Sequence, residues 1–328
     1  MINSAFKKFQ KDHVDLLSDE SNKAKASRAF LIEQIGSLST EKGFPILATY
    51  DPLNYGSFAR KTKLRPLDDI DILLPVNGRG TESTVAQNGN YKYWLKIKGS
   101  DAPLAAYPDA YGYVNSTKVI NAIKSGLSKA KHYKKADIKK SGEAVTLELA
   151  SYNWVFDIVP AVPINDGKGG TAYYLIPDGF GNWKATDPRI DDNRINSIDT
   201  AHNGAFRQMC RLLKYWNNRS GKPRLPSYYF ETVVYNTFLG CQIRSTPQAV
   251  HDFFAAAPAI VSQSCPDPKG LGPNLDVDIE WAEKQKVITS MSDASKAAQA
   301  AIGLGWVHGY EQSAIAKWKT IFGPAFGT

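Results

Sequence analysis

The chain has 328 residues, 43% hydrophobic and 22% charged. That balance excludes a disordered chain, and the length implies two domains or one large one at roughly 100–200 residues per domain. Lys and Arg (40) exceed Asp and Glu (32), and the net charge of +8 suits a polyanionic ligand without separating nucleotide, nucleic acid or acidic protein. No apolar run approaches the roughly 18–20 residues of a membrane helix, and the start of the chain lacks the apolar stretch of a secretory signal. A cytoplasmic protein with no membrane contact is expected. Cys210, Cys241 and Cys265 are too few for a disulfide framework and too scattered for a structural zinc site.

The first forty residues read as helix, with Leu31, Ile35 and Leu38 at i, i+4 and i+7, ended by Gly43-Phe44-Pro45. Residues 69–76 begin with alternation and predict a strand. The segment from 102 to 135 starts irregular and becomes helical. Seven lysines crowd 124–140, as a solvated face or as a basic rim for phosphate-bearing ligands. Residues 145–150 and 154–162 predict two strands joined by Ser151-Tyr152-Asn153 as a hairpin, followed by a short strand at Tyr173–Ile176 among glycine-marked loops. After about residue 196 the pattern turns helical, with helices predicted at about 206–216, 228–243, 247–262, 277–301 and 308–321. The chain therefore reads as an α/β half followed by an all-helical half.

The chemistry concentrates in Tyr55-Gly56-Ser57 and Asp69-Ile70-Asp71-Ile72. Gly56 has no Cβ to keep the backbone from a bulky anion, and Ser57 offers a hydroxyl at the start of a short helix. Asp69 and Asp71 stand two apart on a strand and share a face, leaving Ile70, Ile72 and Leu74 for the core. Asp68 has the opposite parity and reads as a solvated or capping residue. Two adjacent carboxylates repel unless a cation lies between them. Asp157 interrupts an apolar strand, where a carboxylate is costly unless paired or metal-bound. If the two strands are neighbours, three carboxylates converge, a ligand set suited to Mg²⁺ or Mn²⁺.

This order resembles the nucleotidyltransferase superfamily that includes DNA polymerase beta: an aromatic residue, Gly-Ser, a gap of eleven residues, then Asp-hydrophobic-Asp and a distant third acid. Within it, the chain resembles the bacterial cGAS/DncV-like nucleotidyltransferases of CBASS anti-phage operons. The resemblance rests on Phe156–Val162, Tyr174–Asp178 with Gly181-Asn182-Trp183 and Asp187-Pro188, Leu213–Asn217, Leu225–Glu231 and Trp318–Gly323. It spans nearly the whole chain.

The resemblance implies an α+β fold, with a polymerase-beta-like core of mixed sheet and long N-terminal helix over 1–195 and a helical domain over 196–328 that completes the nucleotide cleft. By the same resemblance Asp69, Asp71 and Asp157 bind two Mg²⁺ ions, or Mn²⁺. Gly56 and Ser57 hold a donor triphosphate, Lys214 and Ser227 contact its phosphates, and Tyr228 stacks on a base. The implied reaction joins ribonucleoside triphosphates into a cyclic di- or trinucleotide. A linear oligonucleotide and an inactive binding module are the alternatives. The implied partners are nucleoside triphosphates and an operon-encoded regulator, either a HORMA-domain protein or a partner conjugated to the C-terminus. The tail Phe322–Thr328, with two glycines and a proline, reads as an accessible end or as a segment packing Phe322 and Phe326 inward. Five scattered histidines and three cysteines form no zinc cluster, so activation by double-stranded DNA is not expected.

Overall fold

In the computed structural model, which describes residues 2–48, 52–86, 91–307 and 309–328, the strand read at residue 69 lies in a nine-stranded mixed sheet. The chain runs α1 (Ile2–Phe9), a π-helical turn (Gln10–Val14), α2 (Ser18–Leu38), β1 (Leu53–Asn54), α3 (Gly56–Ala59), β2 (Asp69–Pro75), β3 (Thr81–Val85) and β4 (Lys92–Ile97). It continues through α4 (Ser116–Lys129), β5 (Asp137–Ser141), β6 (Ala144–Glu148), β7 (Val155–Asn165), β8 (Thr171–Pro177) and β9 (Trp183–Thr186). The helices α5 (Pro188–Ala201), α6 (Ala205–Asn218), α7 (Ser227–Leu239), α8 (Thr246–Ser262), α9 (Trp281–Gly305) and α10 (Glu311–Phe322) follow.

The strand order is β1-β2-β7-β8-β9-β4-β3, with β6 also pairing β7 and β5 pairing β6. The β2–β7 pair is parallel, and β6 and β7 form the antiparallel hairpin expected from the sequence. β7 is the organising strand. Its first half lies between β2 and β6, and its second half pairs β8. A strand buried on both sides of its ladder needs a near-continuous apolar run, which Phe156, Ile158, Val159, Ala161 and Val162 supply. Ile70, Ile72 and Leu74 face the core, as the alternation requires.

The familial stretch from Tyr174 to Pro188 is a folding device. Asp178 Oδ1 accepts from the Phe180 and Asn182 amides at 2.8 and 3.0 Å, closing the β8–β9 turn. Trp183 is fully buried and donates Nε1–H to the Val114 carbonyl at 2.9 Å. Asp187 caps α5 by accepting from the Arg189 amide at 3.0 Å, with Pro188 at the first helical position.

Two large cores form. One joins the sheet to α2 and α4 through Leu31, Ile35, Ile70, Ile120, Phe156 and Trp183. The other joins α6 to α10 and includes Phe6, Phe9 and Val14 from the start of the chain. That split explains a correction to the sequence reading. The first forty residues are not one helix. The apolar residues before residue 15 pack on the helical half and those after residue 24 on the sheet, so the chain breaks and redirects at Asp15–Leu17. Strands β1, β3, β4, β5 and β9 and helix α5 were not anticipated. α5 runs across residue 195, where the change of character was expected.

The tail is anchored by its two phenylalanines. Phe322 and Phe326 are fully buried, and Phe326 packs edge-on to Phe6 with ring centroids 4.8 Å apart. The reading of an accessible tail therefore holds for Pro324 and for Gly327-Thr328, whereas Phe326 gains more from the aromatic core than from solvent. No helix is long and apolar enough to cross a membrane among the described residues.

Candidate active site

Parallel pairing of β2 and β7 sets Asp71 directly opposite Asp157, and strand alternation puts Asp69 on the same face. One carboxylate oxygen from each of the three lies within 4.8 Å of the others. The cluster is under electrostatic stress. Burial, and then the charges of Asp69 and Asp157, push the Asp71 carboxyl up to about 7. Burial and then Asp69 raise Asp157. Asp157 Oδ1 is buried with no hydrogen-bond partner among the described residues. Lys63 supplies a cation at the rim, pairing with both Asp69 and the exposed Asp68. Three convergent carboxylates, one of them with an orphaned oxygen, fit a hard divalent cation.

Gly56 begins α3 with φ +74°, and a Cβ built on it would collide with the Asp71 carboxylate. Glycine is thus required twice, by backbone conformation and by contact with the acid. Ser57 is half-buried and lines both a cavity of about 540 Å³, shared with Lys63, Lys214, Ser227 and Pro324, and one of about 850 Å³, shared with Asp69, Asn218, Arg224 and Lys286. Lys63, Asp68, Asn218 and Ser227 also line both, so the two join as one groove; each cavity is by itself within the usual size range for a bound small molecule, and of the three acids Asp69 lines the larger one. None of the seven lysines at 124–140 lines it.

Lys214 is not an exposed helix charge. Its side chain is 5% exposed, and Nζ donates to Glu231 Oε2 at 3.1 Å. Ser227 opens α7 at the groove wall. Tyr228 lines neither cavity. It is half-buried, its hydroxyl donates to Asp191 Oδ1 at 2.7 Å, and Lys269 Nζ sits 4.2 Å from the ring centroid. The sequence reading missed Glu231, Arg60, Thr62 and Lys63. Glu231 did carry a signal, as a lone carboxylate in the apolar run Tyr229-Phe230-Glu231-Thr232-Val233-Val234.

With this geometry in place, comparison with known proteins is decisive. No family model matches the chain. A probable cyclic nucleotide synthase of Bacillus cereus (strain VD146) is 37% identical over 327 residues, covering 99% of this chain and 97% of that protein. The chain belongs to the bacterial cGAS/DncV-like nucleotidyltransferases. Membership makes it an enzyme of the nucleotidyltransferase class, a cyclic oligonucleotide synthase. Solved members share its fold end to end. CdnC of Escherichia coli MS115-1 with ATP superposes with a TM-score of 0.72 at 20% identity, covering 100% of this chain and 99% of that one. The same CdnC in complex with a HORMA protein gives 0.70. The cyclic AMP-GMP synthase DncV of Vibrio cholerae gives 0.67 at 12% identity over 100% and 97% of the two chains.

Proposed function

We propose that the chain condenses ribonucleoside triphosphates into a cyclic di- or trinucleotide that serves as a second messenger in anti-phage defence, releasing pyrophosphate. The observation that carries this reading is the convergence of Asp69, Asp71 and Asp157 within 4.8 Å, with Asp69 lining the groove to which Ser57, Lys214 and Ser227 also belong. The three aspartates hold Mg²⁺ or Mn²⁺. When bound, two such ions lower the pKa of the attacking ribose hydroxyl and neutralise the leaving pyrophosphate. Asp157, through its unpartnered Oδ1, takes part in accepting the hydroxyl proton. The Gly56-Ser57 turn, with the Ser57 hydroxyl in the groove, orients the donor triphosphate. Lys214 and Ser227 bind its phosphates, and Tyr228 stacks on the base. A second attack on the same intermediate closes the ring.

In this reading residues 1–195 carry the chemistry and 196–328 complete the cleft, and the enzyme works in the cytoplasm. Regulation falls to a partner, either a HORMA-domain protein, as in the CdnC complex, or one joined to the exposed Gly327-Thr328 end. Double-stranded DNA is not an activator.

The test incubates purified protein with Mg²⁺ and the four ribonucleotides, with and without its partner and with and without DNA, followed by mass spectrometry. The expected product resists phosphatase, because a ring has no terminal phosphate. Full sensitivity to phosphatase would identify a linear synthetase, and absence of pyrophosphate release under every condition would identify an inactive module. Weak turnover by the isolated chain and no stimulation by DNA are expected.

A further inference from the structure

The groove is built from two parts of the chain, the Gly56-Ser57 turn on the sheet side and Lys214 with Ser227 on the helical side. One buried carboxylate joins them. Glu231, on α7, is 3% exposed. Arg60 Nε donates to its Oε1 at 2.7 Å, and Thr62 Oγ1 and Lys214 Nζ both donate to its Oε2, at 2.8 and 3.1 Å. Two α6 arginines hold the backbone of the same segment. Arg207 Nε donates to the Arg60 carbonyl at 3.0 Å, and Arg211 Nη1 to the Lys61 carbonyl at 2.7 Å. The Thr62 amide donates to the Ser57 carbonyl at 3.0 Å, so this anchored segment continues directly into the Gly56-Ser57 turn.

We propose that Glu231 is a positioning residue of the nucleotide site, fixing the Lys214 ammonium relative to the Gly56-Ser57 turn so that both meet one triphosphate. This rests on the reading of Lys214 as a phosphate ligand. Neither Glu231, Arg60 nor Thr62 lines the groove, so Glu231 acts through its neighbours. One buried carboxylate holds two buried cations, Arg60 and Lys214, and of the two Lys214 lines the groove. A lysine is a point charge on a flexible stem, and tethering it in advance lowers the ordering cost when the anion binds.

The experiment is a double-mutant cycle on ATP affinity, measured with Mg²⁺ at low salt in Glu231→Gln, Lys214→Met and the double variant, each checked for a cooperative melt. Glu231→Gln is expected to weaken ATP binding about tenfold in the otherwise unchanged protein and less than about twofold further in the Lys214→Met background. An equal loss in both backgrounds, or unchanged affinity in folded Glu231→Gln, overturns the inference. Unchanged affinity in Lys214→Met overturns instead the reading of Lys214 on which it rests. If Glu231→Gln does not fold, Thr62→Val carries the same cycle. It removes one hydrogen bond to the oxygen that Lys214 shares, with an expected loss of about threefold that vanishes without Lys214.

Discussion

The Asp71 carboxylate occupies the space that a β-carbon on Gly56 would need. The turn proposed to hold the triphosphate and the central acid of the proposed metal site are therefore in direct contact, and neither can shift without the other.

Gly56→Ala is accordingly expected to cost far more activity than stability. The left-handed backbone at φ +74° adds about 1–2 kcal/mol of strain for any other residue. Displacing Asp71 by even about an ångström should lower turnover by about 100-fold or more. Steady-state kinetics set against urea unfolding checks this. Near-normal turnover would mean that the contact is incidental.

Removing the charges tests the acids themselves. Asp69→Asn with Asp71→Asn should abolish turnover while making the metal-free protein more stable. A carboxyl whose folded pKa is raised, here to about 7 for Asp71, destabilises the fold progressively as pH rises from near 4 through 7. In EDTA the double variant should gain on the order of 2 kcal/mol over the parent at neutral pH, and the difference should close near pH 4. Melting curves across pH report it.

Glu231 has the opposite sign. Burial alone would raise its carboxyl, but Arg60 and Lys214 more than reverse this and hold it at about 2. A depressed carboxyl contributes stability above its unfolded value near 4.5, and that contribution is lost as pH falls towards 2. Roughly 3 kcal/mol should disappear over that window in the parent, and the corresponding slope should be missing in Glu231→Gln. Urea titrations between pH 2 and 6 compare the two.

The tail offers a packing test. Phe326→Ala should cost about 3–5 kcal/mol, since it opens a hole among Phe6, Phe9, Trp318 and Phe322. Removing Gly327 and Thr328 alone should change stability by no more than about 0.5 kcal/mol, because both are exposed. Equal effects of the two changes would show that the last turn folds as one unit with the aromatic core.

Local chemistry made much of this protein legible in its sequence. Asp69 and Asp71 could be placed on one face because a strand has a period of two, and Asp157 stood out because a carboxylate in an apolar run needs a reason. The helices of the second half announced themselves through their apolar spacing. Short or edge elements did not. β1 has two residues, and β3 alternates polar residues without an apolar face.

What the sequence by itself determined is the identity of the chemical groups: three acids, a Gly-Ser turn, a lysine and an apolar frame for each. Tertiary structure decided which of them meet. Parallel pairing in register sets Asp71 against Asp157 across a separation that no local pattern encodes. Docking of α6 and α7 against the segment after α3 turns Lys214 from an exposed charge into a buried partner of Glu231. The same docking splits the N-terminal residues between two cores. Periodicity along a chain fixes the face a side chain takes, whereas the partner on that face depends on long-range burial that only the folded chain supplies.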